Sequence, residues 1–156
     1  MGDFMDFFDL HCDTLTECMD DGDSLLKNER DIDFERGSIF GRWNQVFAVF
    51  VPDSMDDSLV EGYFDSACNF YFDELKKKGD VFPILSSEDV RGHSRGVMLA
   101  MESSRGVGSL ERLEKLYERG LRLITLTWNH KNRAAGGCDE GGGLTDWGRE
   151  LVSKME

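Results

Sequence analysis

The sequence predicts an α/β fold built on a parallel sheet, and three observations carry that expectation. Four short apolar runs show no polar alternation, so each reads as a strand covered on both faces. Stretches with helical spacing alternate with them, as crossover helices do between parallel strands. Three of the runs stop abruptly in residues able to carry chemistry, the position where α/β proteins gather their sites.

Phe7-Phe8-Asp9-Leu10 is the first strand and ends in His11-Cys12-Asp13. Asn44-Gln45 opens the second, Val46 to Val51, which Pro52 stops. Ser58-Leu59-Val60-Glu61 has the spacing of a capping box, and Tyr63, Phe64, Ala67, Cys68, Tyr71 and Leu75 recur at helical intervals after it. Lys76, Lys77 and Lys78 suit the negative end of that helix, and Gly79 is expected to close it. Gly96 to Met101 is the third strand and ends in Glu102, followed by an amphipathic helix on Leu110, Leu113, Leu116 and Tyr117 that Gly120 closes. Leu121 to Leu126 is the fourth strand. A glycine-rich loop over 136–143 leads to Thr145 as an N-cap and a last helix on Trp147, Leu151, Val152 and Met155. Four strand-helix units amount to half of a β/α (TIM-type) barrel, or to a small open sheet.

The chain has 156 residues with a net charge of −13, which excludes the clustered positive surface a nucleic-acid partner requires. At this length one domain is expected, burying roughly 70% of the surface of its unfolded chain. The longest apolar run, Val46 to Val51, falls far short of the roughly 20 residues of a membrane-spanning helix. The first residues carry acids where a signal peptide carries lysines, and Asp6 stands where a myristoylation signal has Ser or Thr. A cytoplasmic location follows as an expectation, with no membrane partner. The four cysteines, Cys12, Cys18, Cys68 and Cys138, show no CxxC pair and are expected to be reduced.

Residues i and i+2 of a strand share a side, so His11 and Asp13 are expected to present an imidazole and a carboxylate together, an arrangement suited to zinc. Glu102 closes another strand and is expected on the same rim, where a carboxylate can bridge two metal ions. The alternative for Glu102 is a strand-end acid neutralised by Arg105 or Arg133. His130, after the fourth strand, is a ligand or a substrate contact, and Asn129 and Asn132 are hydrogen-bond partners there. His93 precedes the third strand and belongs at the opposite end of the sheet. The glycine loop lacks the Gly-Lys-Ser/Thr ending of a phosphate loop and reads as a lid or connector.

Taken together, the motifs resemble the membrane (renal) dipeptidase family of binuclear zinc peptidases, over its amino-terminal half. The residues that carry the resemblance are Asp9-Leu10-His11-Cys12-Asp13-Thr14-Leu15, Gln45-Val46-Phe47-Ala48, Met98-Leu99-Ala100-Met101-Glu102, the stretch from Gly120 to His130, and the stretch from Gly143 to Val152. The resemblance implies an eight-stranded β/α barrel of the metal-dependent hydrolase kind, about twice this length, that hydrolyses dipeptides. It implies His11 and Asp13 as ligands of one zinc, Glu102 as the catalytic carboxylate bridging two, and His130 and Asn129 as substrate contacts. The histidines that complete the second zinc belong to the other half, so at most one zinc is expected here. Self-association or a separate carboxyl-terminal half is the expected partner. The runner-up readings are another metal-dependent amidohydrolase acting on cyclic amides and an inert, truncated product. Two positions depart from the family: Ser103 and Ser104 replace glycines, and Trp128 stands where a His is frequent.

Overall fold

The computed structural model describes residues 5–156, and the reading of the amino terminus as free of a targeting signal rests partly on 1–4, outside them. Five parallel strands form one sheet: β1 (Asp6–Cys12), β2 (Arg42–Phe50), β3 (Phe82–Pro83), β4 (Arg95–Glu102) and β5 (Leu121–Thr125). β1 pairs β2, and β2 pairs β4 along its whole length, from Trp43 opposite Arg95 to Phe50 opposite Glu102. The far edge of β4 is shared, with β3 beside Gly96 and Val97 and β5 beside Leu99 to Glu102. The four long strands therefore lie side by side in chain order, as in half of a β/α barrel. The two-residue β3 was not expected, because so short a segment, ending in proline, carries no periodic signal.

Among the described residues six α-helices accompany the strands, α1 (Thr14–Asp21), α2 (Phe34–Gly37), α3 (Asp57–Lys77), α4 (Asp89–Gly92), α5 (Leu110–Glu118) and α6 (Asp146–Met155), with one 3-10 turn at Ser104–Val107. α3, α5 and α6 stand where the apolar spacing put them. The start of α3 corrects the expected capping box: Asp56 is the N-cap, and its carboxylate accepts the Ser58 N–H at 2.9 Å. A carboxylate at that position also meets the positive end of the helix dipole, so it displaces the neighbouring hydroxyl from the role. Glu61 turns instead toward Arg112, 3.4 Å away. The helix ends at Lys78 in extended backbone, one residue before Gly79. Thr145 caps α6 as expected, accepting the Gly148 N–H at 2.9 Å.

The main core lies between the sheet and the helices. Trp43, Phe47 and Val49 of β2 point into it with Phe34, Phe64, Tyr71, Leu99 and Leu116, all 0–2% exposed. The alternate residues Val46 and Ala48 meet Ala100 in a smaller cluster on the other face, which is why the run has no polar alternation. Glu74 on α3 is buried here and accepts the Leu25 N–H at 2.9 Å and the Ser24 hydroxyl at 2.5 Å, tying the segment after α1 to the helix layer.

Two further carboxylates link the fold to pH. Burial opposes the charge on Asp33, but the Arg36 N–H and guanidinium and the Asn28 N–H outweigh it and hold the carboxyl below its ordinary range. Asp65 is held down in the same way, its burial outweighed by Arg112 and Arg119. A depressed folded-state value means the unfolded chain binds protons first, so this stability is present above the ordinary carboxylate value and is lost as pH falls through the folded one. Denaturant titrations below about pH 4 should show stability falling with acid, and Asp33→Asn should flatten that slope.

Candidate metal centre

The carboxyl ends of β1 and β4 bring three side chains together. His11 is the penultimate residue of β1, Asp13 comes directly after the end of that strand, and Glu102 is the last residue of β4. His11 Nε2 lies 3.3 Å from Asp13 Oδ1 and 3.5 Å from Glu102 Oε2. One ligand atom from each of the three lies within 4.8 Å of the others, the one such cluster among the described residues.

The route to this juxtaposition differs from the expected i, i+2 alternation. β1 ends at Cys12, and Asp13 already sits at the start of α1. Asp9 pairs with Gln45 while Cys12 pairs with Phe47, so β1 advances three residues where β2 advances two. The extra residue is a β-bulge, and it moves His11 to the open face while Cys12 packs on the helix side. Burial there pushes the Cys12 thiol up to about 12, as expected of an inert thiol.

The donor set suits a divalent ion. Asp13 Oδ1 is shielded from solvent yet has no hydrogen-bond donor, an unsatisfied acceptor aimed at the imidazole. The Glu102 side chain is only 12% exposed, and burial raises its carboxyl above the usual range, His11 opposing that rise and Asp13 adding to it. Arg105 and Arg133 do not neutralise it. Arg105 binds Asp57 and the Pro52 carbonyl, and Arg133 donates to the Gly108 carbonyl and lies over the Trp147 ring. Two carboxylates and an imidazole with no cation among them match the N and O ligands that zinc accepts.

The family model for membrane dipeptidases, peptidase family M19, matches residues 3–156. The chain belongs to the membrane dipeptidase family. Among solved structures it is similar to the dipeptidase AC, a metallopeptidase of family M19, at 16% identity and a TM-score of 0.79, covering 97% of this chain and 55% of that one. It is also similar to an amidohydrolase from Pseudomonas aeruginosa, at 18% identity and a TM-score of 0.61, covering 77% of this chain and 37% of that one. The chain thus spans about half the length of the dipeptidase structure. No curated protein matches it by sequence.

Both departures from the membrane dipeptidase pattern have a structural consequence. Ser103, directly after Glu102, has φ of 81°, the one non-glycine residue with positive φ among those described. It is held there by its N–H to the Thr125 carbonyl at 3.1 Å, and the Ser104 N–H and hydroxyl both bind the Leu126 carbonyl. Such a conformation costs about 1–3 kcal/mol for a residue with a side chain. Ser103→Gly should therefore stabilise the fold by about 1 kcal/mol in chemical denaturation, after the unfolded-state entropy of glycine is subtracted. A loss of stability would show that the long contact from Asn132 Nδ2 to Ser103 Oγ, 3.4 Å, outweighs the strain.

Trp128, at the other departure, packs edge-on against Phe50 with ring centroids 5.0 Å apart, and Phe50 is the strand partner of Glu102. His130 does not join the cluster: its Nδ1 faces Glu140 at 3.2 Å and Asp139 at 3.6 Å, both from the glycine-rich loop. Asn129 binds the same loop, its carbonyl accepting the Asp139 N–H and its Oδ1 facing Cys138 Sγ at 3.6 Å. Asn132 is held mainly by the backbone, donating to the Leu126 carbonyl at 2.7 Å and accepting the Ala134 N–H at 2.8 Å, with longer contacts to the Ser103 and Ser104 hydroxyls. His93 stacks on Phe82 ahead of β4, at the amino end of the sheet, as expected. Sequence reasoning placed Asp9 and Gln45 in the family motifs but gave neither a role in the site, and they meet beside the bulge; a polar Gln opening an apolar run was the available signal.

Proposed function

We propose that this chain supplies the amino-terminal half of a zinc-dependent dipeptidase site, with His11 and Asp13 holding one zinc and Glu102 placed to bridge it to a second. The observation that carries the reading is the unsatisfied Asp13 Oδ1 facing His11 Nε2, with Glu102 on the same ring nitrogen. Zinc bound there supplies Lewis-acid polarisation of a scissile carbonyl and a water acidic enough to attack near neutral pH. The chain's own part is to bring one imidazole and two carboxylates together at one rim. Glu102 is the catalytic carboxylate, and His130 and Asn129 contact the dipeptide from the loop above β5. Its macromolecular partner is a second copy or a carboxyl-terminal half, joined along the outer edges of β1 and β5. A cytoplasmic location agrees with four free cysteines and with the lack, among the described residues, of a helix long and apolar enough to cross a membrane.

Zinc titration by calorimetry, run alongside a dipeptide hydrolysis assay, tests this. The expected result is one loosely held zinc per chain, no second zinc and no turnover, with turnover appearing when a carboxyl-terminal half carrying two histidines is supplied in cis or as a separate chain. No zinc binding overturns the metal reading, and two tightly bound zincs with turnover abolished by Glu102→Ala would show that the chain completes its own site. Similarity to an amidohydrolase favours one second reading, hydrolysis of cyclic amides. Assaying dipeptides against cyclic amides on the completed site separates the two.

A further inference from the structure

We propose that Asp9, held by Gln45, is a positioning residue for the metal centre: its carboxylate builds the bulge of β1 that aims His11 at Asp13 and Glu102. The functional consequence rests on the zinc reading above; the structural claim does not.

A strand without the bulge would keep strict alternation, placing Asp9 and His11 on the helix side and Leu10 and Cys12 on the open face. The imidazole would then enter the layer occupied by Phe47, and a thiol would stand at the rim in its place. One extra residue between Asp9 and Cys12 reverses this. A bulge leaves backbone groups without a ladder partner, and an unpaired N–H is costly unless something accepts it. Asp9 Oδ1 accepts the His11 N–H at 3.3 Å. The other oxygen, Oδ2, accepts Gln45 Nε2 at 3.0 Å.

Gln45 explains why the carboxylate stays in that orientation. It is 0% exposed and lies on the helix side of β2 between Trp43 and Phe47, a stripe otherwise apolar. A polar side chain there is unfavourable unless bonded. Its amide nitrogen reaches Asp9 and the Val46 carbonyl, while Oε1 has no partner among the described residues. The packing of β2 thus fixes an amide donor beside β1, the donor fixes Asp9, and Asp9 fixes the turn of backbone that presents His11.

Two measurements test this on the chain as it stands, in a Cys138→Ser background that removes the exposed thiol. Zinc affinity is read by calorimetry, and the reactivity of Cys12 in the folded protein by thiol labelling with peptide mapping. Asp9→Ala should weaken zinc binding about 10- to 100-fold, the usual cost of losing support behind a ligand, and should expose Cys12 to labelling. Asp9→Asn keeps an acceptor for the His11 N–H and offers an amide donor to Gln45 Oε1, so it should bind zinc within about threefold of the parent and keep Cys12 protected. Unchanged affinity and a protected Cys12 in Asp9→Ala would overturn the proposal, and so would Asp9→Asn as weak as Asp9→Ala, which would assign the effect to charge. Should Asp9→Ala fail to fold, Gln45→Met, close in volume, must still speed Cys12 labelling, and unchanged labelling overturns the proposal. If the parent binds no zinc, the metal reading fails while the labelling result still decides whether Asp9 builds the bulge.

Discussion

Replacing Glu102 with glutamine is expected to weaken zinc binding by more than about 100-fold, a larger loss than removal of a group behind the ligands produces. The same substitution should leave the metal-free fold as stable as before, or up to about 1 kcal/mol more stable, because buried charge kept for function is a cost to folding. The two effects have one cause. Glu102 is largely buried and shares its end of the sheet with Asp13, and His11 opposes only part of the rise these cause in its carboxyl. Glutamine preserves the shape and removes both the desolvation penalty and the like-charge repulsion, together with the anionic group proposed to hold the metal. Calorimetric titration with zinc, paired with thermal melts in chelator, reads both. Parent-like zinc affinity would remove Glu102 from the ligand set, and a large loss of stability would reassign it to a structural role.

Phe47→Ala is expected to cost about 3–5 kcal/mol, the range for truncating a fully buried aromatic ring, and to lower the melting temperature by roughly 10 °C at this chain length. Phe47 is 0% exposed at the middle of β2, with Cys12 as its partner on β1 and Leu99 on β4, and the Phe34 ring meets it edge-on at 6.1 Å. Phe47→Leu, which removes less volume, should cost about 1.5 kcal/mol. Urea denaturation of both variants checks the pair, and a loss below about 1 kcal/mol for Phe47→Ala would mean that this part of the core collapses freely. Because Phe47 lies opposite the end of the bulge, the alanine variant should weaken zinc binding as well, whereas a truncation remote from it, such as Leu151→Ala in α6, should not.

The strands were legible in the sequence because alternation, or its absence, is a local property of the covalent chain. Val46 to Val51 has no polar alternation, so both faces of β2 had to be buried, and they are. The ends of those strands were legible for the same reason, which placed His11, Asp13 and Glu102 at one rim before any contact was known. Helices α3, α5 and α6 followed from spacing alone, while α1, α2 and α4 escaped notice because the segments are short and their polar residues carry no periodic signal. The choice of Asp56 over Ser58 as the cap of α3 turned on which of two nearby acceptors reaches a free N–H, a matter of geometry that spacing does not contain. His130 could be placed after β5 but not aimed, because its neighbours Asp139 and Glu140 come from a loop that folds back. The face His11 presents was decided least of all by its own segment. Simple alternation would have sent it to the helix side, and it faces the rim because Gln45 meets Asp9, 36 residues earlier in the chain, across the sheet and a bulge forms where they meet. Periodicity fixes where a strand starts and stops; which way its last residues point depends on a neighbouring strand that only the folded chain brings into place.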